Sequence, residues 1–169
     1  GELVVEKSGV LNLGVEGMML VGAVVAFIVA ATFKSPWLGV LAGIVAGAAL
    51  ALVFAVVTLT LQANQVASGL ALSLFGVGLS AFVGLGYVSL VIEPIPSVSL
   101  GPLTALPVVG PLLFGQNPLV YLSLVLFVAI QWFLFRTRAG LIVRAVGESP
   151  QSAHAIGYPV VRIRYLAVL

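Results

Sequence analysis

Groups able to do chemistry are scarce in this sequence of 169 residues. Asn12 and Glu16 stand four residues apart in "GVLNLGVEGMMLVGA" (9–23), at the mouth of an apolar run. Gln62, Asn64, Gln65 and Ser68 gather in "LQANQVAS" (61–68), between two further runs. His154 lies in a stretch, 136–165, that also holds Arg136, Arg138, Arg144, Arg162 and Arg164. Asp and Cys are absent, so paired-aspartate, thiolate-metal and disulfide chemistry are excluded, and a single His has no second ligand beside it. There is no Gly-rich phosphate loop ending in Lys-Ser or Lys-Thr, and "GVGLSAFVGLG" (76–86) lacks both the dinucleotide spacing and a preceding strand, so it reads as helix packing. No catalytic residue, no metal and no cofactor are expected in this chain. Any uphill work must draw its energy from an ion gradient or from another subunit.

The elements that carry these groups follow from composition. Apolar residues make up 62% and charged residues 7% of the chain, and the mean hydropathy is +1.27, which places it in the membrane class. Apolar runs at about 12–33, 37–61, 65–88 and 118–135 each approach the ~20 residues that cross a bilayer. A fifth begins near Ile163, and both ends read as those of a fragment. The expectation is an all-α, polytopic transmembrane helical bundle, one domain over 1–169, with four complete spans and the start of a fifth. Lys34, Ser35 and Pro36 divide the first two spans, because a charge followed by proline ends one helix and begins another. Between 88 and 118 stand Pro94, Pro96, Pro102, Pro107, Pro111 and Pro118, a density that excludes a span there.

Orientation follows from the bases. Five arginines flank the loop after the fourth span, and short loops rich in Lys and Arg stay cytoplasmic. That puts 136–162 inside, the Pro-rich 88–118 connection and Lys34 outside, and Lys7 inside. The +2 net charge is too small, and its bases too localised, for a nucleic-acid surface. In the second span Gly39, Gly43 and Gly47, continued by Ala51 and Ala55, form a stripe of small residues that lets a neighbouring helix approach. Packing within one bundle and homodimerisation both use such a stripe.

On a helix running out from the cytoplasm, Asn12 and Glu16 would share one face in the first turns, where the helix dipole favours a carboxylate. Glu16 then either braces an inner gate, or caps a neighbouring helix or pairs with a base at the cytoplasmic interface. Gln62 and Asn64 fit a plain turn, while Gln65 and Ser68, and further along Ser73, Phe75 and Phe82, are candidates to line a pathway, hydroxyl and amide groups for a polar solute and rings for an apolar face. In the basic loop, Ser149 suits an N-cap, Pro150 a first helical position and Gly157 the residue just past a helix end, with Pro159 blocking continuation. A two-turn helix at about 150–156 results. It is either an ordinary connector or a small, smooth knob that sits in a cleft of another protein.

"QSAHAIG" (151–157) resembles a degenerate form of the Glu-Ala-Ala-x-x-x-Gly signature by which ABC importer permeases contact their ATPases, with Gln151 in place of Glu and Ser152 in place of the first Ala. Together with "EKSGVLNLGVEGMMLVGA" (6–23), "LQANQVASGLALS" (61–73) and "TRAGLIVRAVGESPQSAHAIG" (137–157), it resembles the permeases of nucleoside and simple-sugar ABC importers over nearly the whole chain. Permeases for ribose-type sugars and branched-chain amino acids share that architecture. The resemblance implies an ATPase-coupling loop carried by Glu148, Ser149, Pro150, Gln151, Ser152, Ala153, His154, Ala155, Ile156 and Gly157. It implies partners too: ABC ATPase subunits that bind the ATP and Mg, a second permease subunit, an extracytoplasmic substrate-binding protein, and the lipid of a prokaryotic inner membrane. The spans hold no Lys, Arg or Asp, which favours a neutral solute over a charged one. The rival readings are an ion-coupled transporter or channel, which usually needs intramembrane acids in more than one helix, and a passive scaffold.

Overall fold

Lys34, left-handed at φ 50°, and Pro36 two residues later make the first chain reversal: α2 (Val15–Phe33) stops at the lysine, and α3 (Pro36–Ala55) starts on a proline, where no backbone N–H is required. The computed structural model describes residues 1–92, 95, 96 and 115–169, and those residues show helices and turns. A short α1 (Glu2–Lys7) precedes the first span. The helix of α3 widens at its end into a π turn, Val56–Thr60, after which Gln62 adopts a left-handed φ of 53°. Asn64 then opens α4 (Gln65–Gly84), its side-chain oxygen accepting from Ala67 N–H at 3.0 Å, and a 3-10 turn, Leu85–Tyr87, extends it. Most of the Pro-rich 88–118 connection lies outside the described residues.

Asn117 caps α5 (Pro118–Arg136) by accepting from Leu119 N–H at 3.0 Å. Thr137 turns the chain at once into α6 (Arg138–Glu148), donating to the Phe133 carbonyl and accepting from Gly140 N–H. Ser149 and Pro150 open α7 (Pro150–Ala155), and α8 (Val160–Val168) follows. Four stretches, Val15–Phe33, Pro36–Thr60, Gln65–Tyr87 and Pro118–Arg136, are long and apolar enough to cross a membrane. They match the expected spans, with two corrections. The first helix begins at Val15 rather than Asn12, because Asn12 Oδ1 accepts from Gly14 N–H at 2.9 Å and holds a local turn that competes with helix. The stretch after the fourth span is more helical than expected: α6 occupies 138–148, and α8 begins at Val160, ahead of Ile163.

Packing among the spans runs through glycine. A Cβ added at Gly43 would lie 2.8 Å from the Gly22 carbonyl oxygen of α2, and one at Gly39 2.8 Å from Ala30 Cβ, so α2 and α3 meet backbone to backbone. The small stripe is interrupted at Gly47, where an added Cβ would meet nothing within 4 Å. Ala51 and Ala55 are buried, and with Phe54, Met18, Val5, Val10 and Val168 they form the core cluster at the end where α3 finishes and α4 begins. Gly76 of α4 does touch α2, but Gly78 and Gly86 face open space, so the glycine-rich 76–86 run packs only in part. α5 packs on α6, with Leu134 its fully buried residue.

Candidate functional site

The basic end of the bundle is assembled from three short helices that sequence patterns barely announced. α1, α6 and α8 pack on one another, and α8 also packs on the last turns of α3. Gly147 of α6 meets Lys7 and Gly9 backbone so closely that a side chain there has no room. Ser8 is wholly buried, its Oγ donating to the Val5 carbonyl at 2.7 Å, and Arg164 Nε donates to the Ser8 carbonyl at 3.2 Å from 156 residues away. Lys7 and the five arginines therefore collect at one end, while Lys34 lies at the far end of α2. Arg144 lies over the Phe135 ring at 5.1 Å, a cation–π contact that fastens α6 to the last turn of α5. Burial pushes the Glu2 carboxyl of α1 above its ordinary range; the charge of Glu6 adds to the rise, and the Asn12 backbone N–H opposes it.

On this platform α7 stands out. Ser149 Oγ accepts from Ser152 N–H at 3.3 Å and donates to Ser152 Oγ at 2.7 Å. Gly157 has φ +94°, the left-handed value expected just past a helix end. Ala153 is the buried residue of α7, whose neighbours are α6 and α8. Gln151, Ser152, His154 and Ala155 are exposed, Ile156 is 76% exposed, and a Cβ added at Gly157 would meet nothing within 4 Å. Glu148 is exposed, and Ser149 and Pro150 are partly buried at the base. The surface offered is small, mostly uncharged and tipped by one isoleucine.

The candidate pathway residues separate into two groups. Ser68 and Phe75 meet in an open hollow between the end of α3 and the start of α4, otherwise lined by Leu50, Val53, Phe54, Val57, Ala71 and Leu72. Gln65 and Ser73 face another way. Gln65 Oε1 accepts from Leu11 N–H at 2.8 Å, and Ser73 Oγ donates to the Leu13 carbonyl at 2.8 Å, so both hold the loop that precedes α2. Asn12 belongs to that loop, buried, with Nδ2 toward Met18 Sδ at 3.7 Å, whereas Glu16 is exposed in the first turn of α2. The expected shared face of Asn12 and Glu16 is thus corrected: only Glu16 is helical. Phe82 is exposed near the other end of α4. Among the described residues no three metal-ligating side chains come together.

Sequence reasoning missed α6 although its signal was present: Gly140, Val143, Val146 and Gly147, spaced by three and four, are the face it turns to its neighbours. The pinned loop at 10–14 had no such signal, since its partners lie on another helix.

The whole chain, residues 1–169, matches the family described as branched-chain amino acid transport system / permease component. A Haloferax volcanii protein, named provisionally as a glucose ABC transporter permease, is 45% identical over 100% of this chain and 53% of its own length. A guanosine ABC transporter permease of Bacillus subtilis is 34% identical, as is a nucleoside ABC transporter permease of Lactococcus lactis subsp. cremoris, each over 97% of this chain and 55% of the relative. The chain spans about half the length of the curated relatives it matches. No solved structure matches it.

Proposed function

The chain belongs to the permease-component family of branched-chain amino acid transport systems and is a multi-pass membrane protein, and from that membership we propose that it carries a neutral solute, a nucleoside or simple sugar, as the translocating subunit of an ATP-driven ABC importer. The observation that carries this reading is similarity over 97% or more of the chain to relatives named for glucose, guanosine and nucleosides. Apart from Arg136 at the very end of α5, the spans hold no Lys, Arg or Asp, which suits such a cargo, since they offer little charge compensation in a low dielectric.

In this reading the basic end faces the cytoplasm of a prokaryotic cell, by the charge bias of its loops. The exposed α7, with Gln151, Ser152, His154, Ala155 and Ile156, docks on a partner ATPase, which binds the ATP and Mg. Gly157 and Ser149 hold the helix at the angle docking needs. A second permease subunit and an extracytoplasmic binding protein complete the assembly. Ser68 and Phe75, in the hollow between α3 and α4, are the pathway residues of this reading, and Glu16 stands at its cytoplasmic mouth. ATP binding shifts the permease between two states only to the extent that the ATPase touches α7 differently in each.

The full-length protein, reconstituted with its ATPase and binding protein in proteoliposomes, tests this. Uptake of labelled nucleoside or sugar that needs ATP and is competed by neutral analogues supports it. Uptake driven by an ion gradient without ATP, or competition by a phosphorylated analogue but not its neutral parent, overturns it.

A further inference from the structure

Two hydroxyls 105 residues apart, Thr60 Oγ1 and Tyr165 Oη, are hydrogen-bonded to each other. Thr60 closes the π turn at the end of α3, and Tyr165 belongs to α8, where its ring packs against the core cluster. The bond ties the helix that follows α7 to a membrane span.

Both sides of that tie are suited to passing on a displacement. On one side, the four residues between α7 and α8 are stitched rather than loose. Gly157 N–H donates to the His154 carbonyl at 2.9 Å, Tyr158 N–H to the Ala153 carbonyl at 3.1 Å, and Val160 N–H to the Tyr158 carbonyl at 2.9 Å. A push on α7 therefore moves α8. On the other side, the π turn closes i→i+5 hydrogen bonds, Leu61 N–H to the Val56 carbonyl at 3.0 Å, in place of the i→i+4 bonds of the helix it ends, a rare local register that recurs at functional sites. Its exit residue, Gln62, stays left-handed at φ 53°, a conformation a non-glycine residue keeps only where its surroundings enforce it. Phe54 and Val57, in the turns before Thr60, line the hollow that contains Ser68 and Phe75. A register change in this turn alters the width of that hollow.

We propose that Tyr165 is a positioning residue for transport: its hydroxyl, bonded to Thr60, conveys movement of α7 to the π turn of α3 and so to the hollow between α3 and α4. This rests on the permease reading, and deepens it by naming the link between the ATPase-facing helix and the span it moves. The alternative is a bond that only stabilises the platform.

The test compares uptake per ATP hydrolysed by the complete reconstituted complex carrying Tyr165→Phe, Thr60→Val, both together, or Thr60→Ser. Phe retains the packed ring, Val retains the shape of Thr, and Ser retains the hydroxyl. The expected result is a drop in uptake per ATP of about fivefold, the size of one net hydrogen bond, in either single variant. The double variant should be no worse than the singles, because one interaction is lost once, and Thr60→Ser should restore the ratio. A lower Tm with an unchanged ratio overturns the link and leaves the bond as stabilisation only. Drops that add in the double variant overturn it as well. Unaltered complex that shows no ATP-driven uptake overturns the permease reading and this link with it, an outcome distinct from the other two.

Discussion

Gly17 of α2 and Gly76 of α4 are in backbone contact: a Cβ built on Gly17 would lie 2.6 Å from the Leu72 carbonyl oxygen, and one on Gly76 would land on Gly17 itself. Between membrane helices, where burial supplies little drive, such close approach is what dispersion and weak Cα–H contacts require. Gly76→Ala should therefore destabilise the protein by about 1–3 kcal/mol through overpacking. Gly47→Ala, at a helix position where the added Cβ would meet nothing within 4 Å, should be neutral or stabilise by up to ~1 kcal/mol. Melting of the purified protein in detergent reads both signs, and a fall of the same size in both variants would count against glycine-mediated packing.

Gln65→Met and Ser73→Ala remove the side chains that hold the Leu11 N–H and the Leu13 carbonyl. Each should cost about 0.5–1.5 kcal/mol of stability, whereas Ser68→Ala should leave Tm alone and alter uptake affinity. If Gln65→Met shifts solute affinity with no change in Tm, Gln65 belongs to the pathway after all.

Gly157→Val places a β-branched residue at φ +94° in open space, so its effect is that of the backbone. With roughly 1–2 kcal/mol against the left-handed conformation, α7 should tilt and ATP-dependent uptake fall by roughly tenfold at normal membrane insertion. Full uptake at equal expression would detach α7 from coupling.

Cysteine introduced at Lys34 should react with an impermeant thiol reagent added outside intact cells, and cysteine at Arg138 only after permeabilisation. Labelling in the opposite order reverses the orientation of every span.

The raised Glu2 carboxyl makes a pH prediction. Because its folded-state pKa lies above the unfolded one, its stabilising contribution is present below about pH 4.5 and is lost as pH rises through the folded value. At pH 7 the charged, partly buried Glu2 opposes folding of the α1 platform. Glu2→Gln should thus raise Tm at pH 7 and change it little at pH 4. A variant less stable at pH 7 than at pH 4, relative to the unaltered protein, would reverse the sign.

Local chemistry wrote much of this fold into the sequence. Four spans follow from runs of apolar residues, because a helix in lipid must satisfy its own backbone and needs a fixed length to do so. The turn at 34–36, the cap at Ser149 and the left-handed Gly157 follow from single residues whose backbone preferences act within a few positions. Distant pairings decided the rest. That Gln65 and Ser73 hydrogen-bond to the 10–14 loop is set by that loop's position, and Gly39 and Gly43 pack while Gly47, on the same stripe, does not. Nothing in the neighbourhood of Tyr165 points to Thr60, or of Arg164 to Ser8. A side chain's type sets which bonds it is able to make, but in a chain of several packed helices only the tertiary structure decides which backbone or hydroxyl stands within reach to claim them.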